Sequence, residues 1–241
     1  MTTRVQSSIL VIDIGGHNVK VLGPRPSEVI KIPSGKTMMP NTMVERVRQA
    51  LGKKKFSRIS IGFPGPVKAG KVVSEPQNLG PGWVGFDFEK AFGHPVRVIN
   101  DAALQALGSY EGGRMLFLGL GTGLGSTLII DGIVAPMELA HLPYKNGRTY
   151  EDYVGLRGLR RLKKKKWRQH VLQVVQQLKA ALQADYVVLG GGNARLIDEL
   201  PRAVRRGHNS NAFLGGCRLW QETSIIACST HQARKEIKRK H

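Results

Sequence analysis

The chain has 241 residues, 41% of them hydrophobic, enough for one large domain or two lobes with a real core. Its 37 Lys and Arg against 17 Asp and Glu give a net charge of +20, a field that draws polyanions such as nucleic acid, an anionic membrane surface or polyphosphate. Two cysteines, Cys217 and Cys228, exclude a disulfide framework and a four-cysteine zinc site, and no run approaches the roughly 20 apolar residues of a membrane span.

Met1–Ser8 has no apolar signal core, so a cytoplasmic, soluble protein without a membrane partner is expected. Ile9–Ile12 reads as a strand that enters Asp13-Ile14-Gly15-Gly16-His17-Asn18, and Val19–Leu22 resumes as a strand. Pro24, Pro26, Pro33 and Gly35 break up the next stretch. Thr42–Leu51 is a helix candidate with Met43, Val47, Ala50 and Leu51 on one face. Arg58–Phe63 is a strand leading into Pro64-Gly65-Pro66, Lys71–Val73 a further short one, and Gln77–Trp83 a loop. Val96–Ile99 is a strand ending at Asn100-Asp101, and Ala102–Gly108 is a helix that Asp101 is placed to cap. Met115–Asp131 reads as strand, glycine turn and strand, closed by the hairpin signal Asp131-Gly132. Ile133–Ala140 leaves that hairpin.

Tyr150–Leu162 and Trp167–Gln183 are helical, the second with Val171, Val174, Val175, Leu178, Ala181 and Leu182 in one stripe. Between them, Arg160–Arg168 holds seven basic residues in nine, either a solvated helix face or a polyanion track. Asp185–Leu189 is a buried strand entering Gly190-Gly191-Gly192-Asn193. Arg195–Leu200 reads as a helix stopped at Pro201, and Asn211–Trp220 as another, capped by Asn211. Alternation of strands and helices makes the class α/β.

Glycines at 119, 121, 123 and 125 let the backbone approach a ligand closely, and successive N–H groups in such a turn form an anion site. No lysine follows as in a P-loop, and the unit is strand–turn–strand, unlike a dinucleotide loop. Alone it is a phosphate loop or an ordinary glycine-rich hairpin. Three glycine turns after strands, at Asp13–Asn18, Gly119–Gly125 and Gly190–Asn193, together point to a cleft that grips phosphates. Asp13 is suited to holding Mg²⁺ through water, and Asp101 to taking a proton from a hydroxyl that attacks phosphorus.

Six segments occur in order: Asp13-Ile14-Gly15-Gly16, Gly62-Phe63-Pro64-Gly65, Asn100-Asp101, Leu120–Gly125, Glu138-Leu139-Ala140-His141 and Leu189–Gly192. From about Ile9 to Trp220 the chain resembles the ROK family of sugar kinases and regulators, within it most the polyphosphate glucokinases. The resemblance implies the actin-like ATPase fold, two ribonuclease-H-like lobes with a central cleft. The lobes would span residues 1–100 and 101–222, with a flexible basic tail over 223–241.

It implies a hexokinase-type transfer to a hexose, glucose 6-OH above all, from ATP or polyphosphate with Mg²⁺ bound at Asp13. Asp101 falls on the general base. Gly65, Asn78, Asn100, Glu138, His141 and Glu151 fall on or near sugar-binding positions, His141 alternatively being a core histidine. Asp13, Gly15, Gly16, His17 and Lys20 match the first phosphate motif, and Gly121, Thr122 and Gly123 the second. Gly190, Gly191, Gly192 and Asn193 match the nucleotide motif. No cysteine lies between His141 and Glu151, so no structural zinc is expected. His17 stands where the family carries a small hydroxyl residue, and Ala140 where it carries glycine. Only twelve residues precede Asp13, which disfavours a DNA-reading head, although a bare basic surface binds nucleic acid without sequence preference. A homodimer is the expected assembly. The alternative is a non-catalytic sugar-binding or nucleic-acid-associated protein on the same fold.

Overall fold

The computed structural model describes residues 9–23, 29–208 and 210–221, together with the backbone of 225–226. The first half carries strands β1 Ile9–Ile14, β2 Asn18–Leu22, β3 Val29–Pro33, β4 Arg58–Phe63, β5 Val67–Lys68, β6 Lys71–Val72 and β7 Val96–Asn100. Its helices are α1 Pro40–Leu51 and α2 Phe88–Phe92, and α3 Asp101–Ser109 follows β7 directly. The second half carries β8 Arg114–Leu120, β9 Leu124–Ile130, β10 Ile133–Met137, β11 Pro143–Lys145, β12 Arg148–Thr149, β13 Tyr186–Gly190, β14 Val204–Arg206 and β15 Ile225–Ile226. Its helices are α4 Tyr150–Val154, α5 Leu156–Ala181 and α6 Asn211–Arg218.

The two main sheets have one plan. In the first, ordered β3-β2-β1-β4-β7, the chain runs up β1 and back through antiparallel β2 and β3, then adds β4 and β7 parallel to β1. In the second, ordered β14-β13-β8-β9-β10-β15, β8 plays the part of β1, β9 and β10 form the antiparallel arm, and β13 and β14 run parallel. This duplicated unit with flanking helices is the actin-like ATPase fold.

Side-chain alternation explains how the sheets stack. Every residue of β1 is buried, as a central strand covered on both faces requires. Leu10, Ile12 and Ile14 pack with Met43, Val44, Val47 and Leu51 of α1. Ile9 and Val11 point the other way, into a layer shared with Ala103, Leu104 and Leu107 of α3 and Ala212 and Cys217 of α6. From the far side Met115 and Phe117 of β8 enter the same layer, while Leu116, Leu118 and Leu120 face Trp167, Val171, Val174 and Leu178 of α5. The order is therefore α1, sheet, α3 with α6, sheet, α5. The central layer is tight: a Cβ on Gly215 of α6 would lie 1.8 Å from the Leu104 carbonyl oxygen of α3. Gly215→Ala is expected to force the helices apart and cost about 3 kcal/mol, read as a Tm roughly 6–12 °C lower in a thermal melt.

The strands expected at Arg58–Phe63 and in the Met115–Asp131 hairpin are present, and Asp131 and Gly132 both take positive φ, 49° and 83°, as a two-residue hairpin turn demands. Other expectations are corrected. Val29–Pro33 pairs with β2 despite its proline, which sits at the strand's end on a sheet edge. Arg195–Leu200 is not a helix: a 3-10 turn at Ala194–Leu196 is all that forms before Pro201. The helical stretch after Tyr150 breaks at Gly155, and α5 is kinked where Lys163 leaves helical geometry at φ 61°. α6 is preceded by Ser210 rather than capped by Asn211. The basic tail over 223–241 lies outside the described residues, apart from the Ile225–Ile226 backbone that pairs with β10. Among the described residues no helix is long and apolar enough to cross a membrane.

Candidate active site

The carboxyl ends of the parallel strands converge. Register sets Asp13 beside Gly62 and Phe63 beside Asn100, so β1, β4 and β7 deliver Asp13, Pro64-Gly65 and Asn100-Asp101 to one rim. In the second sheet Gly119 of β8 is level with Gly190 of β13 and Gly125 of β9. Gly125 joins the two rims, because its backbone approaches so closely that a Cβ there would stand 2.8 Å from the Ala102 Cβ. Asp101, the preceding residue, is thus held beside the second glycine hairpin.

Asn100, not Asp101, is the principal cap of α3: its Oδ1 accepts from the N–H groups of Ala102 and Ala103, and its Nδ2 donates to the Gly65 carbonyl at 3.2 Å. Asp101 accepts from Ala102 N–H through Oδ1, at 2.8 Å, and its Oδ2 takes no hydrogen bond among the described residues. Burial pushes the Asp101 carboxyl up to about 7, and the charge of nearby Asp13 adds to the rise against the opposing pull of the Ala102 N–H and the Lys20 ammonium. Asp13 is buried, and its Oδ2 accepts from Lys20 Nζ at 3.1 Å. Its Oδ1 accepts nothing among the described residues, which leaves an oxygen for a hard cation. These residues fit a Mg²⁺ ion that keeps its waters and shares a substrate's phosphates, and among the described residues no cluster of three or more His, Cys, Asp or Glu forms a protein-only cage.

Both glycine turns are braced from outside and open at the middle. In the first, Gly15 N–H bonds Asn18 O, Ser34 Oγ donates to Gly15 O at 2.6 Å, and Ser34 N–H donates to His17 O. The Gly16 and His17 N–H groups find no acceptor among the described residues, and the His17 residue is exposed. In the second, Gly121 N–H bonds Gly123 O, Leu156 N–H bonds Thr122 O, and Asn193 Nδ2 donates to Gly121 O at 3.1 Å. Here Thr122 and Gly123 keep N–H groups without an acceptor among the described residues. Turns with unpaired amide donors of this kind can hold an anion. Gly190–Asn193 lies against the second turn, since Asn193 N–H also bonds Leu120 O.

The remaining residues sit around this rim. Asn78 touches the first turn, its Cβ 2.8 Å from where a Gly16 Cβ would be. Glu138 and His141 are exposed and 3.7 Å apart, on a 3-10 turn tied to β9 by Ser126. The Ser126 hydroxyl donates to Met137 O and accepts from Leu139 N–H, one residue from Gly125. Ala140 is buried in that turn with a negative φ, so alanine sits there unstrained. Glu151 does not lie free: its Oε2 accepts from Leu124 N–H at 3.1 Å, on the second glycine turn. Ser34 and Ser126 escaped the sequence reading, because each acts through a partner that only the fold brings near.

A family model described as the ROK family matches residues 9–136, the segment that holds both glycine turns and Asp101. The chain belongs to the ROK family. Polyphosphate glucokinase of Mycobacterium tuberculosis is 26% identical over 217 residues, covering 81% of this chain and 76% of that one. Among solved structures, the inorganic polyphosphate/ATP-glucomannokinase from Arthrobacter sp. strain KM aligns with a TM-score of 0.72 at 24% identity, over 87% of this chain and 96% of that one. A ROK family glucokinase from Streptomyces griseus, in complex with glucose and AMPPNP, aligns at 0.64 and 16% identity, over 87% and 98%. The shared ROK fold thus extends across nearly the whole length of those two structures.

Proposed function

We propose that the protein is a sugar kinase that moves a phosphoryl group from polyphosphate or ATP to a hexose hydroxyl, the 6-hydroxyl of glucose above all. The observation that carries this is Asp101: one carboxylate oxygen unpaired, beside a phosphate turn, with a pKa of about 7 that suits a general base near neutral pH. The hydroxyl proton passes to Asp101 Oδ2 as the sugar oxygen bonds to phosphorus. The bond from phosphorus to the donor's bridging oxygen breaks, and ADP or a shortened polyphosphate leaves. The unpaired N–H groups of Gly16, His17, Thr122 and Gly123 meet the charge on the donor. Mg²⁺ bound with the donor would be held by Asp13 and would supply charge neutralisation there. Asn78, Gly65, Asn100, Glu138 and His141 line the sugar side of this scheme, and Gly190–Asn193 the nucleotide side.

The +20 charge bears on the donor. Within Arg160–Arg168, Arg161 is spent on Asp152 O and the Tyr153 ring, and Arg168 on Leu196 O and Asp198. Arg160 and Lys163–Lys166 are exposed and pair with no carboxylate among the described residues. Such a row suits a long polyanion. Changing all four lysines to alanine is expected to raise the KM for long polyphosphate about tenfold at low ionic strength and flatten its salt dependence, with the KM for ATP within about twofold. Initial rates with both donors across a salt series check this. An unchanged donor preference and salt slope would mean that the row is only a solvated face. Nucleic acid is a polyanion too, with phosphates spaced more widely than the anhydride-linked ones of polyphosphate, and the same row would attract it without sequence preference.

A further inference from the structure

Glu151 and Gly155 stand four residues apart at the two ends of α4, and one helical turn puts them on the same face. That face docks on the second phosphate turn. Glu151 Oε2 accepts from Leu124 N–H at 3.1 Å. Gly123 has no side chain in the way, and a Cβ there would strike the same oxygen at 2.3 Å. At the other end a Cβ on Gly155 would press within 3.0 Å of the Thr122 carbonyl oxygen, and the next residue, Leu156, donates its N–H to that oxygen at 3.1 Å. The helix itself is fixed in place. Thr149 and Asp152 cap each other's backbone at its start, and Gly155 N–H closes onto Glu151 O at its end. The capping leaves the Glu151 carboxylate oriented on the turn.

We infer that Glu151 is a positioning residue for the phosphoryl donor: its carboxylate holds the 121–124 turn in the shape that keeps the Thr122 and Gly123 N–H groups unpaired and available to phosphate. A carboxylate is a stronger acceptor for a backbone N–H than a neutral oxygen. Without it the Leu124 N–H loses its partner, and a glycine-rich turn is free to relax into other conformations. The donor would then meet an unformed anion site, and its affinity would fall by the fraction of time the turn is misshapen. This deepens the kinase assignment, on whose donor it rests.

The test uses the full-length chain and the variants Glu151→Ala and Glu151→Gln. Amide hydrogen exchange over residues 121–124 reports on the turn directly. Calorimetry with tripolyphosphate and with AMPPNP reports on the donor side, and titration with glucose alone on the sugar side. Glu151→Ala is expected to speed exchange in 121–124 and to weaken the bound donor analogue about tenfold. Glu151→Gln keeps an oxygen acceptor of the same length, so exchange and donor affinity should return most of the way to wild type. Unchanged exchange and donor affinity in Glu151→Ala overturns the inference, whatever happens to glucose binding. The exchange readout needs no turnover. Faster exchange in the variant of a protein that phosphorylates nothing would keep the clamp and count against the kinase assignment instead.

Discussion

Asp101→Asn is expected to lower kcat by about 10²–10⁴ while leaving the glucose Kd within a few-fold, because the amide keeps the shape and removes the base. Folding raises the Asp101 carboxyl from the usual carboxylate range to about 7, through burial first and the Asp13 charge second. Wild-type kcat should therefore climb with pH through about 7 as the carboxylate ionises. Stability moves the other way. With a raised pKa the folded chain binds the proton more tightly than the unfolded chain. This contribution is complete below about pH 4 and is lost as pH rises through about 7. An asparagine avoids the cost of the ionised form. At pH 8 the variant should outlast wild type by on the order of 1–2 kcal/mol, discounted from the full shift because the carboxyl is partly solvated. The gap should close as the pH falls towards 5. A variant that is inactive yet more stable above neutrality would be the signature of a carboxylate held for chemistry at a cost to the fold. Rate–pH profiles and melts at pH 5 and pH 8 read both effects.

Trp83→Ala is expected to do the largest damage to the sugar side. Trp83 is fully buried, with ring centroids 5.5 Å from Phe63 and 6.4 Å from Phe88, and its indole N–H donates to Gly80 O at 2.7 Å. Gly80 N–H in turn bonds Met38 O, so the loop from Glu75 to Val84 is nailed to the first lobe through this ring. Glu75 closes the loop from the other side. Its carboxylate accepts from Trp83 and Val84 N–H, and against the upward push of burial those bonds, with Gly82 N–H, hold its carboxyl below the usual range. Removing the indole should cost about 3–5 kcal/mol and lower the Tm by roughly 6–20 °C. Asn78 rides on this loop against Gly16, so the surviving folded protein should also show a hexose KM raised about tenfold or more, with the KM for the donor changed less. Denaturant melts and two-substrate kinetics separate the two consequences. Equal losses on both substrates would mean that the loop serves the fold alone.

The turns were legible in the sequence because their information is local. Strand, glycines and strand follow one another in Ile9–Leu22 and in Met115–Asp131, and a hairpin needs no distant partner to be recognised. Asp101 was legible by place, at the end of a strand and the start of a helix, but its function as cap passed to Asn100, a choice that depends on the exact φ at the junction. What escaped were braces between elements far apart in the chain. Ser34 reaches Gly15 from β3's far end, Ser126 fixes the Glu138–His141 turn, and Glu151 crosses from α4 to Leu124. No periodicity announces such contacts. Two local misreadings have local causes. Proline at the end of β3 masked an edge strand, and four consecutive lysines, all good helix formers, concealed the break at Lys163.

Glucose, mannose and other hexoses are to be offered one at a time to the wild-type protein, each with ATP and with polyphosphate in the presence of Mg²⁺. Sugar phosphate should accumulate with at least one hexose and one donor, fastest with glucose, and its rate should fall by about 10²–10⁴ in Asp101→Asn. A wild type that binds glucose yet forms no sugar phosphate with any hexose and either donor would contradict the account, and leave a sugar-binding protein on a kinase frame.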